Sequence, residues 1–321
     1  MNRVIFCSLF FALLTANAAL AQTYPAKPVR LIVPFPPGSA TDAAARLVAG
    51  RLSDALGQSV VVDNRAGASG NIGVELGARA VADGYTLSLG TTSTHAVGPG
   101  TNPRLPYDPV RDFAPISLLG SSPYVLAVHT SVAATNLRDF ITLAKSKPGE
   151  IRYASAGNTS LAHLAGELFS GMAGVKLNHI PYKSSALSVV DLLAGRIELQ
   201  FGSISPTLPH IRSNRLRALA VTGATRLAAL AETPTVIESG LRGYEVTLWF
   251  GILAPAKTPS AIIARLNRDL VATINSPEVR DALLAQGVQP GAGTPAAFAG
   301  LIQRELEKWR GVAKAAGIEG D

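Results

Sequence analysis

The arrangement that most limits what this chain can fold into is a junction that recurs along it: a short apolar run, a loop of Gly, Ser and Pro, then an amphipathic helix. Its fullest form spans residues 31–56, LIVPFPPGSATDAAARLVAGRLSDAL. Residues 31–33 read as a buried strand, Pro36, Pro37 and Gly38 break it, and Ser39 or Thr41 caps a helix whose apolar positions recur three and four apart until Gly57 ends it. A strand that runs through a tight loop into a helix points several backbone N–H groups and the positive end of the helix at one spot. The plain reading of one such junction is a capped helix with no ligand. Repetition shifts the balance toward an anion site.

The pattern returns five times. Residues 60–62 enter DNRAGASGNIG, residues 85–89 enter GTTSTH, residues 151–154 enter SAGNTS, residues 175–180 enter PYKSS, and residues 199–201 enter Gly202 and Ser203. Glycines at 67, 70 and 73 give G-x-x-G-x-x-G after the second strand, where a dinucleotide fingerprint needs G-x-G-x-x-G after the first. The loop suits a carboxylate better than a nucleotide. Strands that alternate with helices predict an α/β fold with parallel sheets covered on both faces. Two further strands are expected at residues 116–119 and 124–129, separated by Gly120, Ser121, Ser122 and Pro123, and the first domain boundary is placed there. Beyond Pro259 the pattern is helical, with Pro277 and Pro295 as first helical residues and Trp309 as a docking anchor.

Residues 1–21 carry Arg3, an apolar stretch at 4–14 and Ala19-Leu20-Ala21, which together read as a secretory signal peptide cleaved after Ala21. A periplasmic product follows as the expectation. The single cysteine, Cys7, lies inside that leader, so disulfides, thiolate chemistry and Cys-based metal sites are excluded from the mature chain. The net charge of +7 is spread without a run of five cations, which fits attraction of small anions and argues against nucleic acid. An exported hydrolase is the opposing reading. It lacks support, since no G-x-S-x-G, S-x-x-K or H-E-x-x-H is present and the five histidines (95, 129, 163, 179, 210) show no metal spacing. No cofactor and no metal are expected. His163, three residues after Ser160, is expected to cap or fill the core.

Ordered blocks now point to a family. VPFPPGSATD (33–42), NRAGASGNIG (64–73), DGYTL (83–87), YDPVRDFAPI (107–116), SAGNTSLAHL (155–164), HIPYKSSALSVVDLL (179–193), LRALAVT (216–222) and GYEVTLWFGILAP (243–255) resemble the Bug-type extracytoplasmic solute receptors of tripartite tricarboxylate transporters. The resemblance covers residues 24–319. It implies a two-lobe periplasmic binding-protein fold, type II-like, with parallel-rich sheets, flanking helices and a ligand cleft. Lobe 1 would comprise residues 22–122 and 246–321, and lobe 2 residues 123–245.

The resemblance also implies a non-catalytic receptor that captures a small carboxylate, an organic acid or acidic amino acid, by lobe closure. Its partners would be integral-membrane transporter subunits, or a sensor kinase as the alternative, and a monomer is expected. The ligand-binding residues are then Phe35, Gly38, Ser39, Ala40, Thr41 and Asp42, with Ala68, Ser69, Ser93 and His95, from lobe 1. Lobe 2 would contribute Ser155, Asn158, Thr159, Ser160 and Ser203. Asp42 is ambiguous between ligand contact and cap, with capping favoured, and Arg65 and Lys183 are alternative ligand cations. Ser39, Gly98, Ser184 and Leu187 depart from the family pattern, which usually has Gly, Asn, Gly and Pro there.

Overall fold

The computed structural model describes residues 24–318 except 156, 183 and 184, so the expected leader, Lys183 and Ser184 lie outside the described residues. Within them the chain builds one curled mixed sheet with helices on both faces. Strands β1 (Val29–Val33), β2 (Val60–Asn64) and β3 (Thr86–Thr91) are parallel, with β1 between the other two. Strand β4 (Phe113–His129) is long. Its first half pairs antiparallel with β9 (Thr247–Pro255) and β10 (Gln289–Pro290), and β9 in turn pairs with β3. Its second half pairs antiparallel with β7 (Leu199–Ser203) and β8 (Leu216–Val221), and β5 (Arg152–Ser155) lies parallel between β7 and β6 (Asn178–Pro181). The order across the sheet is β2-β1-β3-β9-β4-β7-β5-β6.

The two strands expected at 116–119 and 124–129 are therefore one. The β9 register shifts between Leu118 and Gly120, and the neighbour changes at Pro123, but the strand runs on through both. A Cβ at Gly120 would stand 2.6 Å from the Gln289 carbonyl oxygen, so glycine lets β10 approach there. Pro123 ends the β9 ladder opposite Thr247, and Tyr124 begins the β7 ladder opposite Ser203. The missing N–H of proline falls where β4 exchanges one neighbour for another. The β-α alternation accounts for the parallel flanks. The antiparallel centre arises because β4 and β9 both cross the middle of the sheet.

Side chains alternate across this centre. Leu126 and Val128 point into a cluster with Phe140, Phe169, Trp249, Phe298 and Trp309, while Val125 and Ala127 face Leu192, Ile204 and Val221. A third cluster packs Leu31 and Val33 against Val48, Leu52, Phe250, Leu266 and Leu283.

The helices start and stop where their ends are satisfied. In α1 (Ala40–Leu56) the Ser39 hydroxyl accepts from Asp42 N, and Gly57 closes the helix at φ 67°. Next come α2 (Asn71–Ala78), a short turn α3 (Gly98–Thr101), α4 (Leu137–Ser146, capped by Asn136), α5 (Leu161–Ala173, capped by Ser160) and α6 (Ser185–Leu193). After α7 (Ile204–Arg212) and α8 (Ser260–Asn275), α9 (Pro277–Ala285) and α10 (Pro295–Ala316) each start on proline at the first helical position. None of these helices is long and apolar enough to cross a membrane, among the described residues.

Candidate functional site

Three loops gather at the carboxyl ends of β1, β2 and β3. Asn64, the last residue of β2, ties the first two together: its side-chain amide donates to the Phe35 carbonyl (2.9 Å) and to the Asp42 carboxylate (2.8 Å). That carboxylate also accepts from Gly38 N (2.9 Å) and from Arg46 Nε (3.0 Å), while Arg46 Nη2 donates to the Asn64 side-chain oxygen Oδ1 (2.8 Å). Asp42 is 3% exposed, and its partners are all donors from the protein itself. Burial opposes its charge, but the hydrogen bonds from Arg46, Asn64 and Gly38 outweigh that and hold the carboxyl below its ordinary range. The carboxylate thus turns away from the loop face and holds the loop in shape.

What remains at the face is backbone. Ser39 takes up the N–H of Asp42 through its hydroxyl and that of Ala43 through its carbonyl, which leaves Ala40 and Thr41 N–H without an acceptor among the described residues. Beside them, Gly67, Ala68, Ser69 and Gly70 have φ of 133°, 46°, 57° and 97°, a run of four in the left-handed half of backbone space. Such strain in Ala and Ser costs of order 1–3 kcal/mol per residue and collects at ligand loops. A Cβ on Gly70 would meet the Thr94 methyl at 2.8 Å and the Pro34 carbonyl oxygen at 3.4 Å, so the loop packs down onto both neighbours while Ala68 and Ser69 stay exposed. Phe35 and Ser39 are half-buried, Gly38 and Ala40 exposed, and Thr41 buried. Arg65, a candidate ligand cation, is committed to Asp63 at 3.0 Å.

His95 is placed otherwise than expected. Residues Ser93–Val97 form a wide helical turn, so the imidazole falls inward: it is fully buried, edge-on to Phe113 at 4.8 Å, with Nδ1 2.9 Å from the Thr94 hydroxyl. Burial pushes its pKa down to about 3, so it is neutral. It supports the loop from behind and does not line the surface. Ser93 is half-buried on that turn.

The second group lies at the carboxyl ends of β5 and β7. Ser155 is buried, and its hydroxyl is occupied by Gly157 N (3.1 Å), Gly157 O (2.9 Å) and His179 Nε2 (2.7 Å). It is spent on shaping the loop. Asn158 is exposed, and Thr159 holds φ 55°, again left-handed for a residue with a Cβ. Ser160 caps α5 by accepting from His163 N (3.2 Å), and its carbonyl accepts from Leu164 N, which leaves Leu161 and Ala162 N–H without an acceptor among the described residues. Ser203 precedes α7 and makes no side-chain cap. Among the described residues no hydrogen bond or ion pair joins this group to the first. Two surface grooves, one of about 800 Å³ along residues 99–109 and α10 and one of about 230 Å³ around Pro123 and Glu245, are lined by neither group.

Sequence reasoning missed Asn64, Arg46 and His179. Asn64 is 22 residues from Asp42, and their contact comes only from the parallel register of β1 and β2. No group of His, Asp, Glu or Cys suited to a metal ion occurs among the described residues.

Residues 44–318 match the model of the family described as "Tripartite tricarboxylate transporter family receptor". The chain is 42% identical over 300 residues to "Protein BugT" of Bordetella pertussis, covering 93% of this chain and 92% of that one. A solved structure from R. palustris with adipate superposes with a TM-score of 0.82 at 39% identity, covering 92% of this chain and 99% of the other. MatC from Rhodopseudomonas palustris with bound malate superposes with a TM-score of 0.77 at 28% identity, covering 90% and 99%.

Proposed function

This chain belongs to the tripartite tricarboxylate transporter receptor family, and from that premise we propose that it binds a small dicarboxylate between two lobes and hands it to an integral-membrane transporter. Its fold is the two-lobe periplasmic binding-protein fold, its relatives are periplasmic, and it is a solute receptor and not an enzyme. The observation that carries the ligand class is the set of free backbone N–H groups, Ala40 and Thr41 beside the left-handed run 67–70, with Leu161 and Ala162 at the other group. No unpaired cation is built into either loop among the described residues, and neutral amides suit reversible capture of a carboxylate. The adipate and malate held by two structural neighbours are both dicarboxylates.

In this reading residues 22–122 and 246–321 form one lobe and residues 123–245 the other. The change of partners along β4 at Pro123 and the re-entry of β9 at Thr247 support those bounds. Closure brings the two loop groups onto opposite ends of the ligand, and the closed form is what the membrane partner recognises. Phe35, Gly38, Ser39, Ala40, Thr41, Ala68 and Ser69 would hold one carboxylate, and Asn158, Thr159, Ser160 and Ser203 the other. Residues 1–21 would direct export.

A thermal-shift screen of residues 22–321 against mono-, di- and tricarboxylates and acidic amino acids tests this. A dicarboxylate at about 100 times its Kd should add about 2.7 kcal/mol of stability. Protection by monoacids alone, or by no acid with ligand-free protein, would refute the reading.

A further inference from the structure

A pair of histidines lies beneath the second loop group and outside any ligand contact assigned above. The His163 and His179 rings stack at 3.8 Å between centroids and 8° between planes. His163 Nδ1 accepts from Thr159 N at 3.2 Å, which fixes the residue that holds φ 55°. His179 Nε2 meets the Ser155 hydroxyl at 2.7 Å, and that hydroxyl in turn accepts from Gly157 N at 3.1 Å. The loop 157–160 is therefore held from below through two imidazoles. Neither ring needs to touch a ligand to control where the loop amides point.

We propose that His163 is a positioning residue for the ligand loop, and that loop and affinity depend on its Nδ1 being unprotonated. Nδ1 can accept from the Thr159 N–H only while it carries a lone pair, so the Nε2–H tautomer is required. A proton on Nδ1 would set two donors against each other and leave Thr159, in its left-handed conformation, with its N–H unpaired and only its hydroxyl bond to the Asn158 carbonyl (2.7 Å) in place.

The groups that face His163 come from three elements. Glu167 on its own helix has Oε1 3.9 Å from Nε2, and that carboxylate accepts from Tyr153 of β5 at 2.7 Å. His179 comes from β6. The other elements packed on α5, β7 and α10, bring no charged group into ion-pair reach of His163 among the described residues. Burial disfavours the imidazolium while Glu167 favours it, and the balance lies below the ordinary histidine range. His179 is pushed down to about 4 by burial and by the neighbouring His163, so the stacked pair does not carry two charges near neutral pH. Since the competent loop needs neutral His163, it is fully formed above the folded pKa and is lost as pH falls through it.

This inference rests on the loop being a ligand loop, and the test separates the two claims. First, without ligand, the Thr159 amide resonance is followed against pH by NMR in the full mature chain. It should titrate with the His163 midpoint in the wild type and be flat in that range in His163→Asn, whose side-chain oxygen stands in for Nδ1. Second, adipate affinity is measured at pH 7.5 and one unit below that midpoint. His163→Ala should bind five- to tenfold more weakly at pH 7.5, the loss expected for one structural hydrogen bond, while His163→Asn stays within twofold of wild type. The ratio of wild-type to His163→Asn Kd should rise about fivefold on acidification, which cancels titration of the ligand itself. A Thr159 amide that ignores His163, or a His163→Ala protein that folds and binds like wild type, overturns the proposal. If the wild type binds no dicarboxylate, the functional reading above fails, and the amide titration alone decides whether His163 controls the loop.

Discussion

Replacing Trp309 by alanine is expected to cost about 3–5 kcal/mol of stability, the range for removing a large aromatic side chain from a closed core. Trp309 is fully buried in α10, and its indole Nε1–H donates to Glu305 at 2.8 Å. Its surroundings cannot collapse onto the gap, because α10 is shared among several elements. It packs on the Ser93–Val97 turn, on α3, on β4 and on α5, and α3 comes so close that a Cβ on Gly100 would meet Arg310 N at 3.0 Å. The helix thus touches both the turn behind the first loop group and the helix whose start belongs to the second. Denaturant unfolding measures the loss. Trp309→Phe should recover more than half of it, and a loss under about 1.5 kcal/mol for Trp309→Ala would mean that α10 is not the brace this packing implies.

The second large effect is expected at Asp42. Asp42→Asn should destabilise by about 2–4 kcal/mol, as much as Asp42→Ala, because the partners of the carboxylate are all donors. An amide nitrogen in place of either oxygen would face Arg46 and Gly38, or Asn64. The same contact carries a pH dependence. The folded pKa is depressed, so the stabilisation is complete above the unfolded value of about 4 and is lost as pH falls below it through the folded pKa. Unfolding free energies measured from pH 6 down to 2.5 should show an acid-sensitive component in the wild type that is missing in Asp42→Asn. If Asp42→Asn kept full stability and lost only ligand binding, Asp42 would be a ligand contact and not the anchor of its loop.

The parts of the molecule that sequence made legible are those set by local chemistry. Ser39 as cap, Gly57 as stop, and Pro277 and Pro295 at first helical positions all follow from which backbone groups a helix end leaves unpaired. The loops that carry positive φ were legible for the same reason, since Gly-Ser-Asn segments after a strand are where such backbone is tolerated.

What was hidden depends on partners distant in sequence. Whether Gly120 and Pro123 end β4 or only redirect it is decided by β9 and β10, more than 100 residues later. His95 looked like a loop residue because the turn Ser93–Val97 has no apolar period, yet that turn rotates the ring into a pocket made by Tyr107, Phe113 and Trp249. Helix α7 carries two prolines, Pro206 and Pro209. Pro206 falls in the first turn, where a missing N–H costs nothing, and Pro209 is carried by packing of Ile204 and Leu208 on the face of β4. The stacking of His163 on His179 needs the parallel register of β5 and β6, which pairs Tyr153 with His179.

Calorimetric titration of ligand-stripped residues 22–321 with adipate and with hexanoate, its six-carbon monoacid, distinguishes a site for two carboxylates from a site for one. Two loop groups that each hold one carboxylate predict that the diacid binds at least ten times more tightly, since the monoacid leaves one set of backbone N–H groups without its anion. Equal affinity for the two acids, or measurable binding of neither, would contradict a site built from two opposed carboxylate loops.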